Sequence, residues 1–262
     1  MIDPKLQTEL REKFNPDGSN LRNAQLRMLN ILKYVDYVCK QNDIPYWLSS
    51  GTCLGAVRHG GFIPWDDDVD IEMLEEDYDR LITILENQKS DEFALQTHKL
   101  DKNFHYDFAK VRDKNSLIEE VSEIDKQYKY RGYFIDIFPL IPSGSKKLHY
   151  WCGRLRVLEY YIRKWCLNHK GLKPFIIPPY RLITKTIIAI SKRLDIIGSS
   201  TQIRHTLGSA FIKPRDKKDI FPLRTIKFED VELPIPGNAD SYLRKLYGNY
   251  MEMKIDHIHI KP

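Results

Sequence analysis

Four aspartates within five residues are the part of this sequence with the clearest capacity for chemistry. Asp66, Asp67 and Asp68 are consecutive, and Asp70 follows after one apolar residue. If this segment is extended, the side chains of Asp68 and Asp70 lie on the same face of a strand. Because neighbouring carboxylates repel, burying them is unfavourable unless a cation lies between them. We therefore predict a divalent cation here, and oxygen ligands favour Mg²⁺ or Mn²⁺. An acidic turn that caps the helix starting near Glu75 is the simpler alternative.

A segment of small residues upstream could hold the phosphates of a substrate. Ser50, Gly51 and Thr52 come just after a short apolar run, 46–48, and just before a segment, 54–57, that can begin a helix. A strand that ends in Ser-Gly at a helix N-terminus offers backbone N–H groups, hydroxyls and the positive end of the helix dipole to an anion. Followed by two aspartates on the next strand, this layout is typical of nucleotidyltransferases.

Two basic residues, one residue apart, lie further along the chain. Residues 106–113 alternate in polarity like a strand, and Lys110 and Arg112 fall on one face of it. Cations are tolerated in such a half-buried position when an anion meets them. Salt bridges to surface acids are the simpler interpretation.

One carboxylate interrupts a strongly apolar segment, 130–140. Asp136 lies between two isoleucines there. A lone acid in a core strand is destabilising unless a metal, a cation or a catalytic function keeps it in place. A buried ion pair with Arg112 or Arg131 is the alternative to a catalytic function.

The positions of the apolar residues predict the elements that hold these side chains. Helices are predicted over 21–42, 75–88 and 239–247, and residues 146–207 are predicted to be mainly helical. Strands are predicted over 46–48, 68–71, 106–113 and 130–140, the last ending at Pro139, with a hairpin over 221–236. The succession of strands and helices indicates an α/β (α+β) fold.

Two runs of the sequence are Gly51–His59, GTCLGAVRH, and Gly61–Asp70, GFIPWDDDVD. Together they resemble the signature of the LicD family. The DIFP motif that begins at Asp136 and the C-terminal motifs FED, PIP and YGNY also resemble that family. The LicD family comprises bacterial phosphocholine transferases and the catalytic domains of fukutin and the fukutin-related protein. The resemblance implies a nucleotidyltransferase-type mixed sheet flanked by helices, and metal-dependent transfer of a phospho-alcohol from a CDP-activated donor to a sugar hydroxyl.

The resemblance also implies roles for individual residues. Asp68, Asp70 and Asp136 are expected to bind the metal and to act in catalysis, Asp136 either as a ligand or as a general base towards the incoming hydroxyl. Contacts with the donor are expected from Ser50, Gly51, Thr52, Arg58, His59, Trp65, Lys110 and Arg112.

Composition limits the partners and the location. The net charge of +5 suits anionic small molecules or an anionic membrane surface, and is too diffuse to indicate nucleic acid. The four cysteines form no Cys-x-x-Cys pair, which argues against zinc, and we expect them to be reduced. The first residues carry charges and no apolar segment of signal-peptide length. The expected location is therefore the cytoplasm, with peripheral contact at the inner face of the cell membrane left open.

The sequence predicts three parts: a catalytic core over 1–145, a helical lobe rich in basic and aromatic residues over 146–212, and a hairpin and helix over 213–262 that complete the core. The lobe can bind the acceptor or lie on anionic lipid. No window in it reaches the ~18 to 20 apolar residues of a membrane-spanning helix, because charged residues such as Arg181 and Lys185 intrude.

The specific hypothesis is phosphocholine transfer to a glycan or its lipid-linked precursor, with release of CMP. A quaternary ammonium suits an aromatic pocket, and the aromatic residues in or beside the motifs are Tyr46, Trp47, Trp65 and Tyr133. Ribitol or glycerol phosphate transfer, true nucleotidyl transfer and a non-enzymatic membrane-surface or nucleic-acid-binding module are the alternatives. His257 and His259 could bind a metal, although a surface strand is the simpler interpretation.

Overall fold

A mixed β-sheet forms the centre of the fold. We describe it from a computed structural model, which defines residues 1–119, 121–195, 199–209, 211 and 213–253. Within these residues the main sheet has seven strands, and two more strands form a separate hairpin. The strands are β1 (Trp47–Leu48), β2 (Asp70–Leu74), β3 (Phe93–Gln96), β4 (Ala109–Asp113), β5 (Phe134–Ser143), β6 (Ser199–His205), β7 (Arg215–Asp216), β8 (Arg224–Phe228) and β9 (Val231–Ile235). The helices are α1 (Pro4–Phe14), α2 (Asn20–Gln41), α3 (Ser50–His59), α4 (Glu75–Asn87), α5 (Lys146–Cys166), α6 (Lys173–Asp195), α7 (Lys217–Ile220) and α8 (Ala239–Tyr247).

Three strands meet β5, which is the longest strand of the sheet. On one edge β2 runs parallel to β5 and pairs Asp70 with Asp136. On the other edge β4 runs antiparallel and pairs Lys110 with Asp136, and beyond that point β6 takes over the same edge. The sheet order is therefore β1-β2-β5-β4-β3, with β6 and β7 continuing from the far half of β5.

Alternation along the strands gives the sheet one apolar and one polar face. Ile71, Met73 and Ile137 are fully buried in the core that α2 and α4 form over one side. Residues on the same strands point alternately to opposite sides, so Asp70, Glu72 and Asp136 lie on the other side. The polar face is the one that carries the candidate site.

Most of the predicted elements are confirmed, including the mixed sheet flanked by helices. The predicted helices over 21–42, 75–88 and 239–247 correspond to α2, α4 and α8, and the predicted hairpin corresponds to β8 and β9.

Two details of the strand predictions are wrong. Pro139 does not end β5. Its carbonyl accepts from the backbone N–H of Thr206 (3.3 Å), and the next residues of β5, as far as Ser143, pair with β6. Residues 199–205 form a strand and not a helix, because Ile203 packs into an apolar cluster with Trp47 and residues of β5.

The middle part of the chain contributes both a helical pair and a strand. Helices α5 and α6 pack against each other, and β6 returns to the main sheet. The boundaries 1–145, 146–212 and 213–262 stay a prediction. In the described part of the chain no helix combines the length and the apolar character needed to cross a bilayer. All four cysteines are described, each is buried, and none forms a disulfide.

Candidate active site

A cavity of about 950 Å³ opens on the polar face of the sheet. Its walls come from the start of α3, the aspartate segment, β4, β5, α5 and residues 205–215. The structure brings six of the predicted site residues together here: Ser50, Gly51, Asp68, Asp70, Lys110 and Asp136. The other five, which do not line this cavity, are Thr52, Arg58, His59, Trp65 and Arg112.

The backbone of Asp70 is held from both sides by the segment that begins α3. Its N–H donates to the hydroxyl of Thr52 (2.9 Å), and its carbonyl accepts from the N–H of Ser49 (3.0 Å). These two bonds fix the acid beside the helix N-terminus. Thr52 therefore positions Asp70, and its predicted substrate contact stays a prediction.

Asp68 reaches the cavity from an irregular segment and not from a strand. Strand β2 begins only at Asp70, so the expected alternation does not set the direction of the Asp68 side chain. Both carboxylates nevertheless line the same cavity.

Asp136 is paired with the nearest cation. Its Oδ1 atom accepts from Nζ of Lys110 at 2.5 Å, and both side chains are largely buried. The ammonium group also lies 3.4 Å from the centroid of the Phe134 ring. Burial alone would lower the pKa of Lys110, and the neighbouring carboxylate opposes that shift. The net shift of the Lys110 pKa is downward, and the pair with Asp136 carries no net charge.

The cavity holds more negative than positive charge among its predicted residues. Burial, followed by the charges of Asp68 and Asp136, raises the pKa of Asp70 well above its ordinary value. Burial and the neighbouring Asp68 and Asp67 raise the pKa of Asp66 to about 8. A cation bound between these groups would lower their mutual repulsion.

Three carboxylates are close enough to share a metal ion. Asp66, Asp67 and Asp68 each offer a ligand atom, and these atoms lie within 4.8 Å of one another. Asp66 is partly buried, and the other two are exposed. The oxygen-only donor set suits Mg²⁺ or Mn²⁺. Of this group the sequence predicted only Asp68 as a metal ligand, and the predicted ligands Asp70 and Asp136 are not part of it. Asp66 and Asp67 were not predicted, although they belong to the aspartate run that suggested the site.

The beginning of α3 is shaped to approach an anion. Ser50 adopts φ 48°, a left-handed conformation that is uncommon for a residue with a side chain. A Cβ atom added to Gly51 would lie 3.1 Å from Oδ2 of Asp66, so glycine lets the acid pack against the first turn. The N–H of Ser50 donates to the hydroxyl of Tyr242 (3.2 Å) and that of Cys53 to the carbonyl of Ser49 (3.0 Å), so the N–H of Gly51 and the helix dipole are what favour a negative ligand at this end.

Arg112 lies further along β4 and has its own partners. Its guanidinium donates to Oε1 of Gln96 (2.5 Å) and to the carbonyl of Gly132 (2.8 Å). Among the described residues it is outside the cavity lining. Its predicted contact with the donor phosphates stays a prediction.

Arg58, His59 and Trp65 meet one another at the opposite end of α3. Arg58 donates to Nε2 of His59 (2.9 Å) and to the carbonyl of Tyr250 (2.7 Å). Trp65 packs edge-on against the rings of Phe14 and His59. Burial lowers the pKa of His59 to about 3, so this ring is neutral at pH 7. The cluster supports α3, and its predicted substrate contacts stay predictions.

A fully buried glutamate next to the site escaped the sequence analysis. Glu72 accepts from Nε1 of Trp47 (3.0 Å) and from Arg215 (2.9 Å), and it lies 3.0 Å from Nε2 of His205. His205 and Arg215 also line the cavity. Glu72 follows Asp70 with one residue between, which could have indicated that they share a face. No pattern in the sequence indicated the other two.

Aromatic side chains form one wall of the cavity. Phe108 lies at the centre of this wall, with its ring centroid 4.9 Å from Tyr106 and 4.5 Å from Phe138. Tyr160 and Phe211 extend it. The aromatic residues that the sequence analysis named lie elsewhere: Tyr46 and Trp47 are buried in the core, and neither Trp65 nor Tyr133 lines the cavity.

A helix N-terminus, a set of carboxylates and a buried lysine on a mixed sheet are the groups that a nucleotidyltransferase-type site needs to bind phosphate and a hard cation. The sequence comparison agrees. Residues 43–175 match the pattern of the LicD/FKTN/FKRP nucleotidyltransferase domain. The chain therefore belongs to the LicD family of phospho-alcohol transferases and is a transferase.

Similarity to one relative extends over most of the chain. The lipopolysaccharide cholinephosphotransferase LicD of Haemophilus influenzae is 34% identical over 252 residues, which cover 89% of this chain and 92% of the relative. The ribitol 5-phosphate transferase FKRP of Homo sapiens is 49% identical over 45 residues, 17% of this chain and 9% of that protein. The ribitol-5-phosphate transferase FKTN of Mus musculus is 42% identical over 52 residues, which cover 20% of this chain and 11% of that protein.

Proposed function

We propose that this enzyme transfers phosphocholine from CDP-choline to a hydroxyl of a cell-surface glycan or its lipid-linked precursor, with release of CMP. The observation that carries the proposal is a single cavity that combines carboxylates, a helix N-terminus and an aromatic wall. The similarity to a cholinephosphotransferase over 89% of the chain supports it. We place the reaction in the cytoplasm, where the four buried cysteines would stay reduced.

The donor pyrophosphate would lie between the start of α3 and the cations of the cavity. The backbone N–H of Ser50 donates to the hydroxyl of Tyr242 (3.2 Å), so Gly51 would offer its backbone N–H group to the donor, and Lys110 would offer its ammonium group. Arg215 also lines the cavity, and its charge is balanced by Glu72 (2.9 Å), so it would contribute hydrogen-bond donors to the phosphates. These groups surround a negative ligand in a partly dehydrated space, where each charge acts more strongly than in water.

The residues present fit a hard divalent cation. Asp68 and Asp70 would hold Mg²⁺ or Mn²⁺, and Asp66 is close enough to Asp68 to add an oxygen. Of the two roles expected for Asp136, ligand or general base, we assign it the base. When bound, the metal would neutralise charge on the phosphate and on the leaving CMP. The raised pKa values of Asp66 and Asp70 agree with a site in which carboxylates crowd together.

The chemical step is a displacement at phosphorus. The acceptor oxygen forms a bond to the phosphorus that carries choline, while the bond from that phosphorus to the bridging oxygen breaks and its electron pair leaves with CMP. The acceptor proton passes to Asp136. One oxygen of this carboxylate accepts from Lys110, which fixes its orientation and leaves its second oxygen for the hydroxyl.

The aromatic wall favours choline as the transferred alcohol. A quaternary ammonium is attracted to the faces of Tyr and Phe rings, by about 0.5 to 2 kcal/mol per contact. Tyr106, Phe108 and Phe138 form a continuous surface within the cavity. Ribitol and glycerol carry no charge and would instead need several hydrogen-bond partners.

The test is incubation of the protein with Mg²⁺, a glycan acceptor and one donor at a time: CDP-choline, CDP-ribitol or CDP-glycerol. We expect CMP release with CDP-choline at the highest kcat/KM, and loss of release after removal of metal with a chelator. CMP release with CDP-ribitol alone would refute choline but retain the transferase class. Pyrophosphate release from a nucleoside triphosphate would instead identify a nucleotidyltransferase.

A further inference from the structure

The two long helices of the middle lobe carry an exposed apolar face. We call it the outer face, and each of its side chains is between 41% and 75% exposed. Its members on α5 are Tyr150, Trp151, Val157, Leu158, Tyr161 and Trp165, and those on α6 are Phe175, Leu182, Ile183, Ile187 and Ile190. Exposed apolar surface of this extent marks a binding surface in a soluble protein.

The outer face is the side of both helices that points away from the body of the protein. On α5 the buried residues His149, Cys152, Glu159 and Arg163 lie on the opposite side of the helix from Trp151 and Trp165. On α6 the buried residues Ile177, Arg181, Thr184 and Ser191 similarly lie opposite Phe175 and Leu182. In both helices the buried side is mostly polar, with Cys152 and Ile177 as apolar members, and the exposed side is apolar. This reverses the usual pattern of a helix in a soluble domain.

Positive charge borders the apolar surface. Residues 146–195 contain twelve Lys and Arg and two acids, whereas the whole chain contains 41 and 36. Exposed bases in this part of α5 and α6 are Lys146, Lys147, Arg154, Lys164, Lys185 and Arg193. Among the side chains that the structure describes in these helices, the acid is Glu159, which is buried. The outer face thus presents apolar and basic groups without a compensating exposed acid in the described part.

The same helix α5 also forms a wall of the cavity. Gly153, Arg156, Val157 and Tyr160 line the cavity, and Val157 belongs to the outer face as well. A surface on which the outer face rests would therefore lie next to the cavity.

We infer that the outer face docks on an anionic phospholipid membrane. Aromatic and aliphatic side chains would enter the boundary between headgroups and acyl chains, and the bordering bases would contact anionic headgroups. A second copy of the chain is a poorer occupant, because a two-fold contact through this face would bring the same basic borders together. Nucleic acid would match the bases but not the apolar side chains.

The test uses the full chain and vesicles without donor or acceptor, so its outcome is independent of the proposed transferase activity. Two tryptophans lie in the outer face, whereas Trp47 is fully buried and Trp65 is partly buried. With vesicles of phosphatidylcholine and about 30% phosphatidylglycerol, we expect Trp emission to shift to shorter wavelength and to be quenched by brominated lipid. Replacing Trp151→Phe and Trp165→Phe should remove this signal while the protein still sediments with vesicles.

A variant of the apolar surface and a matched control locate the contact. Leu182→Ser, Ile183→Ser and Ile190→Ser together should lower vesicle binding at least about tenfold, because three buried apolar side chains are lost from the contact. The control, Tyr37→Ser, Leu100→Ser and Leu117→Ser, changes three exposed apolar residues outside the lobe and should bind like the parent. Circular dichroism and thermal unfolding confirm that both variants fold.

A second variant tests the contribution of the basic residues that border the outer face. Lys146→Gln, Lys147→Gln and Lys164→Gln should weaken binding to anionic vesicles by about fivefold per removed charge, with little effect on neutral vesicles. The inference is overturned if the parent does not bind anionic vesicles or if the apolar variant binds them as well as the control. It is also overturned if sedimentation equilibrium without lipid shows a dimer that the apolar variant loses.

Discussion

The carboxylate of Glu159 holds α5 and α6 to each other and to the body of the protein. Its Oε1 accepts from Arg163 (2.9 Å) and from Arg181 (2.8 Å), and its Oε2 accepts from Arg156 (2.8 Å). The side chain is 1% exposed. Arg156 continues the network to Asp107, which also lines the cavity. Glu159 therefore contacts all three guanidinium groups, and Asp107 shares Arg156 and Arg181 with it.

Glu159→Gln keeps the size of the side chain and removes its charge. The amide oxygen can accept from some of the three arginines, but the amide NH₂ group then faces a guanidinium that needs an acceptor. Loss of one partner in a buried charge network typically costs about 3 to 5 kcal/mol. Because Gln retains part of the hydrogen bonding, we expect a loss near 3 kcal/mol in the free energy of unfolding. The melting temperature should fall by about 6 to 12 °C.

The pH dependence provides an independent check of the same reasoning. The three arginines hold the pKa of Glu159 below its ordinary value, although burial alone would raise it. A depressed pKa contributes stability above the unfolded value, near 4.3, and this contribution disappears as the pH falls through the folded value. Urea unfolding should therefore show the full difference between parent and Glu159→Gln at pH 7, and a shrinking difference below about pH 4.

A matched control is Glu119→Gln, which changes an exposed glutamate outside the lobe. It should alter the free energy of unfolding by less than about 0.5 kcal/mol. If Glu159→Gln is also within that range at pH 7, or if its deficit does not change with pH, the charge of Glu159 does not hold the lobe in place.

Three further predictions concern the site and the sheet. Asp70→Asn should lower transfer activity at least about a hundredfold, measured as CMP release, while thermal unfolding in metal-free buffer shows equal or higher stability because one crowded carboxylate is gone. Phe108→Ala should raise KM for CDP-choline by about tenfold and leave KM for CDP-ribitol unchanged, since the aromatic surface serves the ammonium group. Gly132→Ala should destabilise the fold by more than about 2 kcal/mol in urea unfolding, because its Cβ would overlap the backbone carbonyl of Asp113. The control Gly171→Ala should be neutral, because the added Cβ meets no described atom within 4 Å.

The sequence was sufficient to predict those elements whose patterns involve residues close together in the chain. The helix spacing of α2 and α4 and the Ser-Gly and aspartate segments depend on residues close together in the chain, and the structure contains both helices and places Ser50, Gly51, Asp68 and Asp70 at one cavity. Asp136 was recognisable because a carboxylate is rare in an apolar strand.

Long-range pairing was not recognisable from the same patterns. His205 and Arg215 reach the cavity only because β6 and β7 return to the sheet after two helices, and a basic aromatic segment gives no signal of that return. The sequence also indicated the wrong aromatic residues for the pocket, for a similar reason. Trp47 and Tyr46 are near the motifs in sequence, yet burial in the core takes them out of the cavity, while Tyr160 enters it from a helix outside every motif.

Strand β5 connects the chemistry of the site with the lobe that overlies it. Its first half places Asp136 between Asp70 and Lys110, and its second half pairs with β6, which ends at His205. The strand leads within three residues into α5, whose inner side lines the cavity and whose outer side is apolar. A displacement of α5 would therefore alter the wall that Arg156, Val157 and Tyr160 form. A substitution that loosens the lobe, such as Glu159→Gln, should consequently reduce transfer to a large acceptor more than it reduces metal binding at the acids, because the acids are fixed by β2 and β5 and not by the helices.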